Sequence, residues 1–439
     1  MITVGGKYTN AKIMIDDIEP QCYSQILSFV NHPAFTNNIA IMPDTHAGKG
    51  SVIGFTMPLN PYRIIPNVVG VDISCGIVGM CFGFDANFNL DDSGKYAFDT
   101  KIRELIPFGQ TVHTKSVIHF KNDFPWKELN QNAIEFIKNF YNKFKIRIEP
   151  PNYDYDWFEN KCKQIGVKVK YAIDSIGTLG GGNHFIEIGK SEKTGYWITI
   201  HSGSRNFGAR ICQYWQGIAE KKIKNIKINE LQKEILDIKS KYSGIDINIE
   251  INKAKERLGL NDKVSGDLLF LENEDAISYL VDMLFTQMYA EVNRNYMSYI
   301  LCNIINSRPV KTIKTNHNFI DFEDFIIRKG AIKSYINEEM IIPFNMEDGI
   351  LICTGKSNPE WNYSAPHGAG RLFSRSEAKK KLSLEDAKTS MENSGIFTTG
   401  IPLDEVKGAY KDSDVIKQAI EPTAVIIDKI NPIHNLKAL

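Results

Sequence analysis

Tyr-Trp-Ile-Thr-Ile-His-Ser-Gly-Ser-Arg-Asn-Phe-Gly, residues 196–208, joins strand texture to helix texture within thirteen residues. Its first six residues are apolar, aromatic or β-branched and end on His201, the composition of a buried strand. The Gly-Ser turn that follows leads into the start of a helix at Arg205. From about residue 208 to 306 the longer runs contain almost no Gly or Pro, so the strand feeds a helical block. An apolar stripe through Ile277, Leu280, Val281, Leu284, Phe285 and Met288, continuing to Tyr299 and Ile300, predicts a long helix over 274–305. The Lys-rich piece 221–240 reads as the solvated face of this block. Strand and loop texture returns from 311. The expectation is an α+β fold, one catalytic domain over 1–439 of mixed sheets and loops around a pocket, with a helical insertion at about 208–306.

Working outward, the runs 39–42, 51–57 and 68–73 are apolar, β-branched and bounded by Gly or Asp, and are predicted strands. Residues 126–147 place Leu129, Ile134, Phe136, Ile137, Phe140 and Tyr141 at helical spacing among Lys and Asn. Residues 348–354 form a further predicted strand.

Composition sets limits on function. The 439 residues carry 52 Lys plus Arg against 52 Asp plus Glu, with 43% hydrophobic and 24% charged residues. These fractions exclude a disordered or disulfide-scaffold class. A formal net charge of zero excludes wholesale neutralisation of phosphates, so any phosphate site must be local. Residues 1–12 hold no apolar core of a secretory signal, and the apolar span 64–84 is interrupted by Pro66, Asp72 and glycines, so no membrane segment is expected. Seven cysteines without a CxxC pair predict reduced thiols in the cytoplasm and no zinc ribbon.

Four of the nine histidines lie in Gly/Asn/Ser-rich loops at strand ends: His184 in GGGNHFIEI, His201 in ITIHSGSRNFG, His317 in KTNHNFI and His367 in SAPHGAGR. Loops held on a scaffold are where catalytic groups concentrate. In VGVDISCG, Asp72 and Cys75 stand three apart. Asp, Cys and several His together suit a borderline transition ion such as Mn, Fe, Co or Zn, whereas calcium takes oxygen ligands. A thiolate can bridge two such ions, which would form the clamp of phosphoryl chemistry. Arg205 follows a turn at a helix start, and Arg371 and Arg375 are four apart, a spacing that predicts one shared helix face aimed at an anion. PDTHAGKGSVIG, with Asp44, His46 and Lys49, is a further Gly-rich loop, but neither it nor GTLGGGNH supplies a nucleotide fingerprint.

Taken in order, PDTHAGKGSVIG, VGVDISCG, GTLGGGNHFIEI, HSGSRNFG, NHN, RKGA and SAPHGAGR resemble the motifs of RtcB-type RNA ligases, the tRNA-splicing and RNA-repair family, from about residue 38 onward. The resemblance implies a dinuclear metal pocket and a GTP- and Mn(II)-dependent enzyme. Such an enzyme seals RNA ends bearing a 2',3'-cyclic phosphate or 3'-phosphate to a 5'-hydroxyl. It implies Asp72, Cys75 and His184 as ligands of one Mn, Cys75, His201 and His317 as ligands of the other, and His367 as the nucleophile that becomes guanylylated. Asn183, Glu187, Asn318, Gly368, Gly370, Tyr410 and Lys437 match nucleotide-pocket positions, and Arg205, Arg371 and Arg375 match RNA-phosphate positions. RNA is the implied partner, archease a candidate activating protein, and tRNA splicing or RNA repair the implied role. The chain departs from the family pattern at Phe344-Asn345-Met346-Glu347, where a Gly-Ser-Met-Gly loop is usual, and at its Leu-Lys-Ala-Leu terminus. Two other readings stand beside the ligase: a dinuclear metal-dependent phosphodiesterase or phosphatase acting on RNA ends without nucleotide, and an RNA-binding paralogue without turnover.

Overall fold

The computed structural model describes residues 1–86, 88, 90–149, 151–258 and 266–438. Two sheets carry the architecture. The first has six strands in the order Ile2–Gly5, Asn10–Ile13, Ile39–His46, Ile53–Pro58, Ile326–Lys329, Asn318–Ile320. The second has seven, in the order Lys311–Asn316, Gly76–Gly83, Gly195–Ser202, Phe185–Ser191, Ala424–Lys437, Ile350–Gly355, Glu339–Pro343, and every pairing in it is antiparallel. Lys311 on one edge strand of this second sheet pairs with Glu339 on the other edge strand, so the sheet curls toward closure. Ile77, Trp197, Ile313, Ile341, Ile352 and Ile430 pack into one buried cluster from its strands. His317 stands between Lys311–Asn316 and Asn318–Ile320, where the chain leaves one sheet and enters the other. The mixture of sheets and helices is the expected α+β class.

Helices cover the remaining faces. Trp126–Phe144 buries Leu129, Ala133, Phe136 and Phe140, while Ile134 and Tyr141, counted in the stripe from sequence, face solvent. Arg205–Lys241 starts against the core through Phe207, Ile211, Trp215 and Ala219; its outer half pairs with Ile245–Arg257 around Leu231, Ile238 and Ala254. Asn273–Ile304 is buried nearly all round: Tyr279, Met283, Phe285 and Tyr289 join the helical core, and Met297 and Leu301 join the core under the seven-stranded sheet. A helix apolar on every side belongs in an interior, and this one ties the two cores together.

Two local expectations fail for identifiable reasons. Residues 68–73 are not a strand. Pro66 fixes the φ suited to a first helical position, Pro66–Val69 makes a helical turn, and Gly70 ends it with φ 99°; the strand begins later, at Gly76–Gly83. Arg371 and Arg375 do not share a helix face. Ser374 and Glu377 form a reciprocal capping box that starts the helix at Arg375, leaving Arg371 in a bridge to Tyr410.

Candidate active site

Strand register builds the site. Ile77 and Phe185 both lie opposite His201, and Asn316 lies opposite Gly76. Cys75, His184 and His317 each sit one residue beyond a strand end, so with His201 they gather at one end of four adjacent strands. The His317 amide donates to the Cys75 carbonyl at 2.9 Å. Ser74, directly before Cys75, has φ 55°, a left-handed conformation that a non-glycine residue keeps only where its surroundings enforce it.

Two donor triads result, Asp72–Cys75–His184 and Cys75–His201–His317, each with ligand atoms within 4.8 Å of one another. Cys75 Sγ lies 3.4 Å from His184 Nε2 and 3.2 Å from His201 Nε2, and His201 Nε2 is 3.1 Å from His317 Nε2. Asp72 Oδ2 lies 2.8 Å from His184 Nε2. His184 Nδ1 donates to the Leu179 carbonyl at 2.8 Å and His201 Nδ1 to the Asn183 carbonyl at 3.1 Å. Those bonds place the ring proton on Nδ1 and leave Nε2 with a bare lone pair, the form a metal ligand needs. Burial, then the neighbouring histidines, hold His201 well below the usual imidazole range; burial, with His367 and His201, does the same for His317. Burial alone would raise the Asp72 carboxyl; a His184 ring protonated also on Nε2 outweighs it by hydrogen bond and charge and holds the carboxyl at about 2, and a cation at Nε2 would take that proton's place. Burial, followed by the Asp72 charge, pushes the Cys75 thiol well up, so its thiolate calls for cationic compensation. Nitrogen, sulfur and oxygen donors in this arrangement fit a borderline transition cation. Gly203 makes room for the carboxylate: a Cβ there would lie 2.1 Å from Asp72 Oδ1.

The loops are held from behind by two neighbours on the central helix that sequence reasoning missed. Arg294, fully buried, donates to the carbonyls of Ser74 at 2.7 Å and Ser202 at 3.0 Å, and to Asn316 Oδ1 at 2.8 Å. Asn293 accepts from the amides of Gly177 and Thr178 and donates to Ser202 Oγ and the Gly203 carbonyl. One turn of helix thus fixes the segments that carry Cys75, His184, His201 and His317. Arg294→Met keeps the stem but leaves three acceptors unmet, and is expected to weaken metal affinity by about 10- to 100-fold. Competitive chelation of purified variants would measure this, and an unchanged affinity would refute it.

A cavity of about 730 Å³ opens in front of these groups, with His201, His317 and His367 on its wall and the buried Cys75 and His184 behind it. His367 Nδ1 donates to Asp44 Oδ2 at 2.6 Å, and the His367 amide donates to the same oxygen at 3.2 Å. The His367 ring centroid lies 4.7 Å from that of His317. With Nδ1 committed to Asp44, Nε2 carries the free lone pair. Gly370, with φ 76°, lets the His367 loop approach: a Cβ there would lie 2.3 Å from the Asp44 carbonyl. Asp44 stood in a Gly-rich motif without an assigned role; its partnership with His367 spans 323 residues and has no local signature.

Asn183, Glu187, Asn318, Gly368, Gly370, Tyr410 and Lys437 all border the same cavity. Asn318 Oδ1 accepts the Gly330 amide at 2.9 Å. Burial pushes Glu187 up to about 8 against the opposing pull of Lys437. Its folded value lies above its ordinary 4.5, so the Glu187 contribution to stability is full below that value and is lost as pH rises through about 8. Glu187→Gln should therefore match the wild type in thermal midpoint near pH 4.5 and gain on it progressively toward pH 9. A midpoint difference that is flat in pH would contradict this. Arg371 and Arg375 are on the wall and engaged with Asp404 and Glu405. Arg205 is not brought to the wall; it donates to Thr178 Oγ1 at 2.9 Å and the Gly109 carbonyl at 2.8 Å and so braces the loop before His184. In the departing loop, Phe344 and Met346 are buried and the Asn345 side chain accepts the amides of Glu347 and Asp348, closing a turn.

Triads that could hold metal ions at strand ends, beside a histidine oriented by a carboxylate, suit phosphoryl chemistry. The family described as tRNA-splicing ligase RtcB matches residues 25–438, and the chain belongs to it, which makes the protein an RNA ligase. The RNA-splicing ligase RtcB of Escherichia coli K12 is 27% identical over 427 residues, covering 92% of this chain and 90% of that protein. The tRNA-splicing ligases RtcB of Nanoarchaeum equitans and Archaeoglobus fulgidus are 25% and 24% identical, covering 92% and 97% of this chain and 89% and 92% of theirs. Among the described residues, no helix is long and apolar enough to cross a membrane.

Proposed function

We propose that this protein is a GTP- and Mn(II)-dependent ligase that joins RNA 2',3'-cyclic phosphate or 3'-phosphate ends to 5'-hydroxyl ends, in tRNA splicing or RNA repair. The carrying observation is the pairing of His367 Nδ1 with Asp44 at 2.6 Å beside the triads that share Cys75. Asp72, Cys75 and His184 would hold one Mn(II) and Cys75, His201 and His317 the other. When bound, the ions withdraw charge from phosphate oxygens. We further propose one catalytic domain over 1–439 with 208–306 as a helical insertion, acting in the cytoplasm.

His367 Nε2 attacks the α-phosphorus of GTP; the N–P bond forms as the P–O bond to pyrophosphate breaks. The imidazole gains positive charge in this step, and the Asp44 carboxylate on Nδ1 stabilises that charge. The GMP then passes to the RNA 3'-phosphate, restoring His367, and the RNA 5'-hydroxyl displaces GMP while losing its proton. A cyclic phosphate is first opened by water. Glu187 in carboxylate form would accept from guanine N1–H and N2–H, with Tyr410 and Lys437 completing the pocket and Asn183, Asn318, Gly368 and Gly370 lining its phosphate side. Arg371 and Arg375 would meet RNA phosphates; Arg205 would act on them from behind the loop.

Incubation with α-labelled GTP and Mn(II) separates this reading from a phosphodiesterase that uses the same metals without nucleotide. Covalent label that disappears in His367→Ala supports ligation, and an unlabelled wild type refutes it.

A further inference from the structure

Glu405 gathers four side chains of the cavity wall, Arg371, Arg375, Tyr410 and Lys437. It is 2% exposed and borders the cavity. Its Oε1 accepts from Arg371 Nη2 and from Arg375 Nη1, the latter at 2.7 Å. Its Oε2 accepts from Tyr410 Oη at 2.7 Å and Lys437 Nζ at 3.1 Å. Arg371 Nη2 also donates to Tyr410 Oη at 3.2 Å, so one donor on each oxygen touches the other. Arg371 also lies over the Tyr410 ring, 5.0 Å from its centroid, and donates to the Asp404 carbonyl at 2.6 Å, while Arg375 reaches Asp404 Oδ2 at 2.7 Å.

We infer that Glu405 is a positioning residue that sets the phosphate-binding arginines and the nucleotide-binding Tyr410 and Lys437 in one register. The inference rests on the GTP-dependent reading above. A carboxylate presents acceptors on both sides, and four donors satisfy them. The amide of a glutamine at this position presents one acceptor and one NH2. Whichever way it turns, one pair of donors faces another donor. The carboxylate itself is held at about 2 because Lys437, Arg371 and Arg375 outweigh the burial that would raise it. That value lies below its ordinary 4.5, so the stability it contributes is present above 4.5 and is lost as pH falls toward 2.

The test is covalent guanylylation of full-length wild type, Glu405→Gln and Glu405→Asp at varied GTP, with thermal midpoints recorded for each. The expected result is a KM for GTP raised about tenfold or more in Glu405→Gln, the loss of one charge-assisted hydrogen bond, with kcat within about threefold because His367 and Asp44 are untouched. Glu405→Asp keeps both acceptors and should recover part of the loss. A labelled wild type with KM within about twofold in both variants would overturn the inference alone, as would a fall in kcat and midpoint with KM unchanged. An unlabelled wild type would overturn the GTP reading and this inference with it.

Discussion

Cys75→Ala is expected to lower end-joining of a cyclic-phosphate RNA by about a thousandfold or more and to strip bound metal from the purified protein. The reason is the shared position of one sulfur atom. Cys75 Sγ belongs to both triads, so its removal leaves each with two donors. Single replacement of His184 or His317 would cost one triad only. The deletion is also mild for the fold, because the strand from Gly76 onward keeps its pairing on both sides. Metal content measured beside joining rate checks the expectation. Undiminished joining by Cys75→Ala would show that the metal assignment is wrong.

The second large effect is expected at Asp44. Asp44→Asn should slow guanylylation of His367 by roughly a thousand- to ten-thousandfold, the scale seen when a carboxylate that orients a catalytic histidine becomes an amide. Two donors converge on Asp44 Oδ2, the ring Nδ1 and the backbone amide of His367. An amide that turns its NH2 toward Nδ1 would favour the tautomer with the proton on Nε2, which removes the nucleophilic lone pair. GTP binding should change little, because Asp44 lies behind the histidine. The variant should still join an RNA supplied with its 3'-phosphate already guanylylated, since that step bypasses His367. Equal loss on both substrates would mean that Asp44 serves the fold or the metal centre, not the nucleophile.

The residues that the structure brings together here stood out in the sequence because they occupy short polar loops that interrupt apolar strands. His184, His201, His317 and His367 each stand against such a background, and Asp72 and Cys75 sit in a turn of the same kind. What the sequence could not supply was partners brought from far away. Asp44 and His367 lie 323 positions apart, and the contact exists only because the His367 loop folds back over the Ile39–His46 strand. Asn293 and Arg294 were hidden differently, inside a helix whose apolar pattern reads as core. Glu405 belongs to none of the motifs singled out in the sequence, yet it is buried among cations. The failed strand at 68–73 and the failed helix face at Arg371 share one cause. A local signal, Pro66 in one case and the Ser374–Glu377 capping box in the other, overrode apolar texture and spacing.

Under the proposed mechanism His367 forms a covalent bond to GMP. Peptide mapping by mass spectrometry, after incubation of the wild type with GTP and Mn(II) and digestion at neutral or higher pH to spare a phosphoramidate, tests it most directly. One GMP adduct is expected, on the peptide containing His367, absent without metal and absent in His367→Ala. An adduct on a lysine or on another histidine, or no adduct under conditions where RNA ends are joined, would contradict it.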